Sequence, residues 1–304
     1  MEIKTVSKQD YAQELTELFN QVFDMNWTYE TWMWKHMGNP LEGACPEVVV
    51  AIDGGRIAGA RPLMRVDLLY NSNRLRCAVP CDTMVHPDYR RQGVFAMMNE
   101  LALDIEKEKR TVLMFNFPNK ISGAGYLKQG WREVKLLEDY IRPLRPSKVG
   151  RGITRNAVLG SILGVGYSAL FGWRSTGARS GTRAVDIEIY REWPKILEQL
   201  DASYDARRLE LERSEQFMRW RLDSNPLERN LYVVASHGST LLGFVALAIS
   251  TRTGGLVQGL VVDDVMCCKD PAPSNELVRA VMELAVQHGC DYLRAWPSER
   301  GCLT

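Results

Sequence analysis

An excess of either charge is missing from this chain. Thirty-eight Lys and Arg stand against thirty-seven Asp and Glu, for a net charge of +1, so no overall field recruits nucleic acid or an anionic membrane. Cys-x-x-Cys pairs are missing too. The seven cysteines (Cys45, Cys77, Cys81, Cys267, Cys268, Cys290 and Cys302) are odd in number, and without the paired spacing of zinc or redox sites they are expected to be reduced and mostly buried thiols. Histidine is scarce: His36, His86, His237 and His288 lie far apart in the chain, and no metal is expected. The N-terminus, Met1-Glu2-Ile3-Lys4, lacks the basic-then-apolar run of a secretory signal, which makes the cytoplasm the expected location.

What is present is the balance of a folded protein, 45% hydrophobic and 25% charged over 304 residues, long enough for two ordinary domains. The chain also repeats itself. Trp34-Lys35-His36-Met37-Gly38-Asn39-Pro40 matches Trp220-Arg221-Leu222-Asp223-Ser224-Asn225-Pro226 at the tryptophan, the base, the asparagine and the proline, 186 residues on. A strand, turn and strand follow each copy, with Asp53-Gly54 and His237-Gly238 at the corners, both hairpin signals. Each copy reads as helix, hairpin, further strand, helix and strand, a mixed α/β sheet flanked by helices. The expected division is a first domain at 1–145, a linker at 146–184 and a second domain at 185–304.

The linker contains an uncharged run, 156–173, flanked by Arg151, Arg155, Arg174 and Arg179. A spanning helix needs about 20 apolar residues, and this run is shorter and rich in glycine. A linker helix docked on a domain is expected, with peripheral membrane contact as the second reading. The stretch 174–183 that follows reads as a flexible basic connector.

The segment richest in chemistry is 81–102. A short strand ends at Val85, a turn holds His86-Pro87-Asp88, and an amphipathic helix begins near Gly93. Glycine lets a backbone approach a ligand closely, the first-turn N–H groups of a helix lack internal partners, and the helix dipole favours an anion there. That combination makes a pyrophosphate site, to which Arg90 and Arg91 can add charge-assisted contacts.

Arg90-Arg91-Gln92-Gly93-Val94-Phe95 after a strand ending in Val85 resembles the coenzyme motif of the GCN5-related N-acetyltransferase (GNAT) family, departing from it at Phe95, where many members carry a small residue. Downstream, Asn119, Tyr126 and Gly130-Trp131 resemble the family's second motif, in the family's order. The resemblance covers residues 1–143 and implies tandem GNAT-like domains with acetyl-CoA as acyl donor. It implies that Met84 and Val85 pair with the pantetheine arm and that backbone amides of Arg91, Gln92, Gly93, Val94, Phe95 and Ala96 hold the pyrophosphate, with Arg90 beside them. It further implies that Asn119 bonds the arm and that Tyr126 protonates the departing thiolate.

In the second copy the glycine cradle gives way to Lys269-Asp270-Pro271-Ala272-Pro273, and proline has no N–H to offer a phosphate. The second domain is expected to be degenerate and noncatalytic. The expected reaction is direct attack of a small-molecule or peptide amine on the thioester in a ternary complex. Asp82 is favoured over His86 as the group that helps remove the amine proton. Cys77 and Cys81 are expected to pack rather than attack. Trp27, Tyr29, Trp32 and Trp34 are candidates for an acceptor wall, with core packing the stronger expectation. Two other functions stay open: a noncatalytic acyl-CoA-binding protein, and an aminoacyl or peptidyl transferase of the cell-wall type. The intact cradle and the lack of a basic stripe for RNA weigh against the latter.

Overall fold

Alternating apolar residues between turn signals give strands in this chain, and helices follow where the apolar spacing widens to three and four. The computed structural model describes residues 1–154, 157–171, 185–202, 205–252, 254–296 and 301. The first stretch runs β1 (Glu2–Ser7), α1 (Ala12–Phe23), α2 (Tyr29–His36), β2 (Glu47–Asp53), β3 (Arg56–Arg61), β4 (Leu63–Tyr70) and β5 (Asn73–Pro80). It continues through β6 (Met84–Val85), α3 (Val94–Glu108), β7 (Leu113–Met114), α4 (Lys120–Lys128), β8 (Tyr140–Pro143), α5 (Pro146–Thr154) and α6 (Ala157–Phe171). Then come β9 (Asp186–Tyr190), β10 (Glu210–Leu211), α7 (Glu215–Met218), β11 (Arg229–His237), β12 (Thr240–Thr251), β13 (Val257–Met266), α8 (Pro271–Gln287) and β14 (Tyr292–Ala295). The mixed α/β class read from the sequence is the one observed.

Backbone contacts divide the chain into two units, Met1–Lys135 with Tyr204–Leu227, and Leu136–Ser203 with Glu228–Thr304. The segments change places relative to the expected cuts at 145 and 185. Tyr140–Pro143, expected in the first domain, pairs with β14 in the sheet of the second unit. Glu210–Leu211, expected in the second, pairs with β4 in the first. Strand pairing outranks sequence order here because an edge strand satisfies its backbone wherever a free edge lies.

In the first unit the strands are ordered β1-β2-β3-β6 and β10-β4-β5-β7. The break between the two sheets lies within a single hairpin. Pro62 alone separates β3 from β4, and residues 81–83 separate β5 from β6. Pairing runs through Leu63 and Pro80, continues with the Cys81 N–H donating to the Pro62 carbonyl at 3.2 Å, and resumes at Ala60 and Met84. Arg61 therefore faces two residues, Asp82 and Thr83, across a one-residue bulge, and Asp82 takes a left-handed φ of 47°. Such a bulge bends its strand and re-aims the side chains on it.

The run Val48-Val49-Val50-Ala51 is buried on both faces of its sheet. Val48 and Val50 pack with Leu15, Phe19, Trp32 and Met84, while Val49 and Ala51 pack with Val94, Met98 and Ala102 of α3. The second unit has one sheet ordered β8-β14-β13-β12-β11-β9, with α8 supplying Leu277, Val281 and Leu284 to its core. Both predicted hairpin corners form: Asp53 pairs with Arg56, and His237 with Thr240.

The repeated tryptophans meet. Trp34 Nε1 donates to the Trp220 carbonyl at 2.9 Å and Trp220 Nε1 to the Trp34 carbonyl at 2.8 Å, their rings 6.0 Å apart. The repeat thus closes as a reciprocal pair within the first unit. The shared asparagines also act alike: Asn39 Oδ1 accepts from the Leu41 N–H, and Asn225 Oδ1 from the Leu227 N–H. A Cβ on Gly38 would lie 2.7 Å from the Trp34 carbonyl and 3.2 Å from Trp220 Nε1, so glycine there lets the rings approach. Trp220→Ala should lower the stability of this unit by about 3–5 kcal/mol, read as a lower urea midpoint. Trp220→Phe, which removes the N–H and shrinks the ring, should cost less than the alanine variant but more than the about 1 kcal/mol of one hydrogen bond.

Helix α6 occupies the uncharged run. It packs on α5 at Gly164, where a Cβ would stand 2.4 Å from the Ser147 Cα. Val158, Ile162 and Val165 are more than half exposed, so the docking expected for this helix is confined to one face. Among the described residues no helix is long and apolar enough to cross a membrane. The connector 174–183 and Cys302 lie outside the described residues.

Candidate functional site

Strand β6 is the edge of its sheet, paired only with β3 through Gly59–Val85 and Ala60–Met84. Among the described residues no strand pairs with its other side, where an extended ligand could add as a further strand. Met84 is fully buried and Val85 partly so. The chain then turns at His86, which is buried and stands 2.9 Å from Arg56 through its Nε2. Its Nδ1 accepts from the Asp88 N–H at 3.3 Å, so the His86 side chain orders the turn.

Helix α3 follows at once. Gly93 is its N-cap at φ 78°, no side chain caps the helix, and its first turn holds no acidic residue. Arg91 is also left-handed, at φ 63°, so two positive-φ residues wind the backbone into the helix. Orphan N–H groups and the positive dipole end are left for an anion. Arg90, Arg91 and Gln92 are exposed; Arg90 Nε donates to the Val85 carbonyl at 3.2 Å, and Gln92 Nε2 to the Asp88 carbonyl at 2.9 Å. Val94 is buried in the core, while Phe95 and Ala96 complete the first turn.

Phe95 has a structural explanation. Its ring meets Tyr126 edge-on at 5.2 Å and packs against Gly125, where a Cβ would stand 3.1 Å from Phe95 Cε1. The large residue on α3 is accommodated by a glycine on α4. Tyr126 is 5% exposed, its other side lies 4.8 Å from Trp131, and its hydroxyl oxygen accepts from Arg61 Nη1 at 3.0 Å. Asn119 caps α4, with Oδ1 accepting from the Ser122 N–H at 2.9 Å; its oxygen has a structural duty whatever else the side chain does.

Asp82, on the bulge, faces α2. Its Oδ2 is 2.6 Å from Lys35 Nζ and 3.1 Å from His36 Nε2. Burial pushes the Asp82 carboxyl up, but the His36 contact and the Lys35 charge outweigh it and hold the group down at about 2. Burial pushes His36 down to about 4 despite Asp82, so its imidazole is neutral at pH 7. Burial, then the Asp82 charge, pushes the Cys81 thiol up to about 12, and Cys77 is raised chiefly by burial. Both are protonated thiols, poor nucleophiles at neutral pH.

The depressed Asp82 carboxyl is also a stability term. A carboxylate with a lowered folded pKa stabilises fully above its unfolded value near 3.8 and loses that contribution as pH falls through about 2. Asp82→Asn should therefore flatten the decline in urea stability between pH 5 and pH 2. An unchanged decline would show that the pair with Lys35 does not couple to folding.

Sequence reasoning kept the histidines apart from other ligating groups, yet His36, Cys81 and Asp82 bring three ligand atoms within 4.8 Å of one another. The fold joins residues far apart in the chain by laying α2 over the bulge. The Lys35 ammonium already pairs with Asp82, so a cation entering this cluster would have to displace it. Of the aromatic candidates, Trp32 is fully buried and Trp27 stacks on Phe19 at 4.2 Å. A cavity of about 300 Å³ is lined by Arg61 together with Lys8, Glu42, Arg65 and Glu106; Lys8 pairs with Glu42 and Arg65 with Glu106.

The site residue that sequence reading missed is Arg61, whose side chain is completely buried. Its signal was present: a single charge in Ile57-Ala58-Gly59-Ala60-Arg61-Pro62, inside a strand that otherwise reads as core.

The second unit supplies a contrast. Helix α8 begins with Pro271, and the Asp270 carboxylate caps it by accepting from the Ala272 N–H at 2.9 Å. A negative charge and two prolines stand where α3 offers bare N–H groups.

Residues 2–134 match the family model of the acetyltransferase (GNAT) domain. Among solved structures, the chain is similar to a GCN5-related N-acetyltransferase from Anabaena variabilis, with a TM-score of 0.64 at 14% identity over 96% of this chain and 65% of that one. It is similar to another from Kribbella flavida, with a TM-score of 0.59 at 15% identity over 98% of this chain and 64% of that one. It also resembles the Saccharomyces cerevisiae N-myristoyltransferase solved with bound myristoyl-CoA, with a TM-score of 0.57 at 12% identity over 96% of this chain and 76% of that one. The chain thus spans less than two thirds of the length of the first two. No curated protein sequence matches it.

Proposed function

We propose that this chain, whose residues 2–134 carry a GNAT domain, transfers an acyl group from an acyl-CoA, acetyl-CoA foremost, to the primary amine of a small molecule or peptide. The observation that carries the reading is the uncapped, acid-free N-terminus of α3 directly after an edge strand. That pairing of features suits a ligand with an extended amide-bearing arm and a pyrophosphate, because the arm adds to the strand while the anion sits on the helix end.

In this reading Met84 and Val85 pair with the arm, and Asn119 bonds it near its reactive end. The amides of Arg91, Gln92, Gly93, Val94, Phe95 and Ala96 hold the pyrophosphate, with Arg90 adding charge. Tyr126 donates its proton to the departing sulfur. Asp82 is an ionised carboxylate beside Lys35. Already paired with Lys35 and with a low affinity for protons, in this reading it orders the water that takes the proton rather than storing the proton itself. The α8 end, capped by Asp270, repels such a donor, so one coenzyme site per chain is proposed. A cytoplasmic setting suits the reduced thiols and the metabolic thioester.

The test is calorimetric titration with acetyl-CoA and with free coenzyme A, followed by a thiol-release screen of amines. Absence of binding by either ligand would sink the proposal.

A further inference from the structure

Arg61 is fully buried, yet among the described residues it forms no ion pair. Its Nη1 donates to the Tyr126 hydroxyl at 3.0 Å and to Thr83 Oγ1 at 3.3 Å, while Nε and Nη2 meet no protein acceptor. The guanidinium lies over the rings of Phe95 and Tyr126, 5.5 and 5.2 Å from their centroids. Arg65, further along the same hairpin, shows the usual solution: both of its terminal nitrogens meet the Glu106 carboxylate. A buried guanidinium normally requires such an anion, because desolvation is costly and two aromatic faces and two hydroxyls recover only part of it. The negative charge Arg61 lacks in the protein is one that the proposed reaction creates beside it.

We infer that Arg61 is the electrostatic partner of the departing sulfur, stabilising the negative charge that develops on the thiolate and on the Tyr126 oxygen as the acyl group leaves. The inference rests on the acyl-transfer reading above. In the step, the amine nitrogen bonds to the thioester carbon, the carbon–sulfur bond breaks, and its electron pair goes to sulfur. The Tyr126 proton follows to sulfur and gives the free thiol. The phenolate left behind faces Arg61 until it regains a proton from water, which has taken up the one shed by the new amide nitrogen. Charge that appears late and next to a fixed, buried cation is where preorganised electrostatics lowers a barrier most. The expense of keeping an unpaired arginine there is borne by the folded state.

The test uses free coenzyme A carrying ¹³C beside its sulfur, followed by NMR through a pH titration on the full-length protein. In the wild type the bound thiol should ionise about one pH unit or more below the free thiol. Arg61→Lys should keep most of that shift, and Arg61→Met should abolish it while coenzyme A still binds. Without ligand, Arg61→Met should melt at the same temperature as the wild type or a few degrees higher, because a buried unpaired charge has been removed. Equal thiol ionisation in wild type and Arg61→Met would overturn the inference. So would an Arg61→Met protein that unfolds or melts several degrees lower, which marks a structural residue. A raised KM confined to acidic acceptors, with thiol ionisation unchanged, would assign Arg61 to an acceptor carboxylate and also overturn it. Failure of the wild type to bind coenzyme A is a separate result and removes the acyl-transfer reading itself.

Discussion

Tyr126→Phe should lower kcat by about 10²–10⁴-fold, the usual contribution of a positioned general acid, with little change in the KM for acyl-CoA. The phenylalanine keeps the ring between Phe95 and Trp131 and removes only the oxygen that meets Arg61. Donor binding depends on the β6 edge and the α3 end, neither of which the substitution touches. Loss from kcat without loss from KM is the pattern of an interaction made in the transition state. Steady-state thiol release, with the best amine from the screen, measures it. A rival account treats Tyr126 as a core tyrosine whose hydroxyl merely satisfies a buried arginine. Either account predicts some loss of stability, because Arg61 Nη1 keeps only Thr83 Oγ1 as acceptor, but the rival leaves turnover unchanged. Turnover separates the two, and a kcat within twofold of wild type would remove Tyr126 from the chemistry.

Much of this arrangement was legible in the sequence because it is encoded locally. The hairpin corners need glycine at particular dihedrals, and Asp53-Gly54 and His237-Gly238 announce them. The strand, turn and helix around Gly93 are contiguous, so their order alone places an uncapped helix end after a strand. Likewise, Pro271 and Pro273 show from the sequence that the corresponding helix of the second copy lacks two N–H groups in its first turn. The tryptophan repeat was visible as a pattern, but its meaning was not. That Trp34 and Trp220 donate to each other's carbonyls depends on two helices meeting, which no local spacing specifies.

The parts that escaped are those set by long-range pairing. The exchange of Tyr140–Pro143 and Glu210–Leu211 between units follows from which sheet edges are free. The Lys35, His36 and Asp82 cluster exists because α2 crosses the bulge. Arg61 is the most instructive case. A charge inside an apolar strand is a local contradiction, and such contradictions mark sites where folding preference has yielded to another demand. What the sequence could not say is that the partner of Arg61 is a tyrosine hydroxyl from α4 rather than a carboxylate.

Gly93→Pro should weaken acetyl-CoA binding by about 10²-fold or more, while Gly93→Ala should weaken it far less. Gly93 adopts φ 78° with open space where a Cβ would stand, so alanine meets no clash and keeps its N–H. Its penalty is the strain of a left-handed conformation, about 1–2 kcal/mol, a roughly tenfold effect if all of it falls on the bound state. Proline is different in kind. Its φ is locked near −65°, opposite in sign to that required, and it has no N–H to give. Loss of one charge-assisted hydrogen bond removes about 1.5–3 kcal/mol, and displacement of the neighbouring amides adds to it. Helix α3 itself should persist, because Val94, Met98 and Ala102 anchor it in the core, and an unchanged far-ultraviolet circular dichroism spectrum would confirm that. A proline variant that stays folded and binds as tightly as the wild type would move the pyrophosphate away from this helix end. The edge strand would then be the only part of the donor site left to defend. A graded series, with wild type strongest, alanine intermediate and proline weakest, would tie affinity to the backbone amides rather than to Arg90 and Arg91, whose side chains are the same in all three proteins.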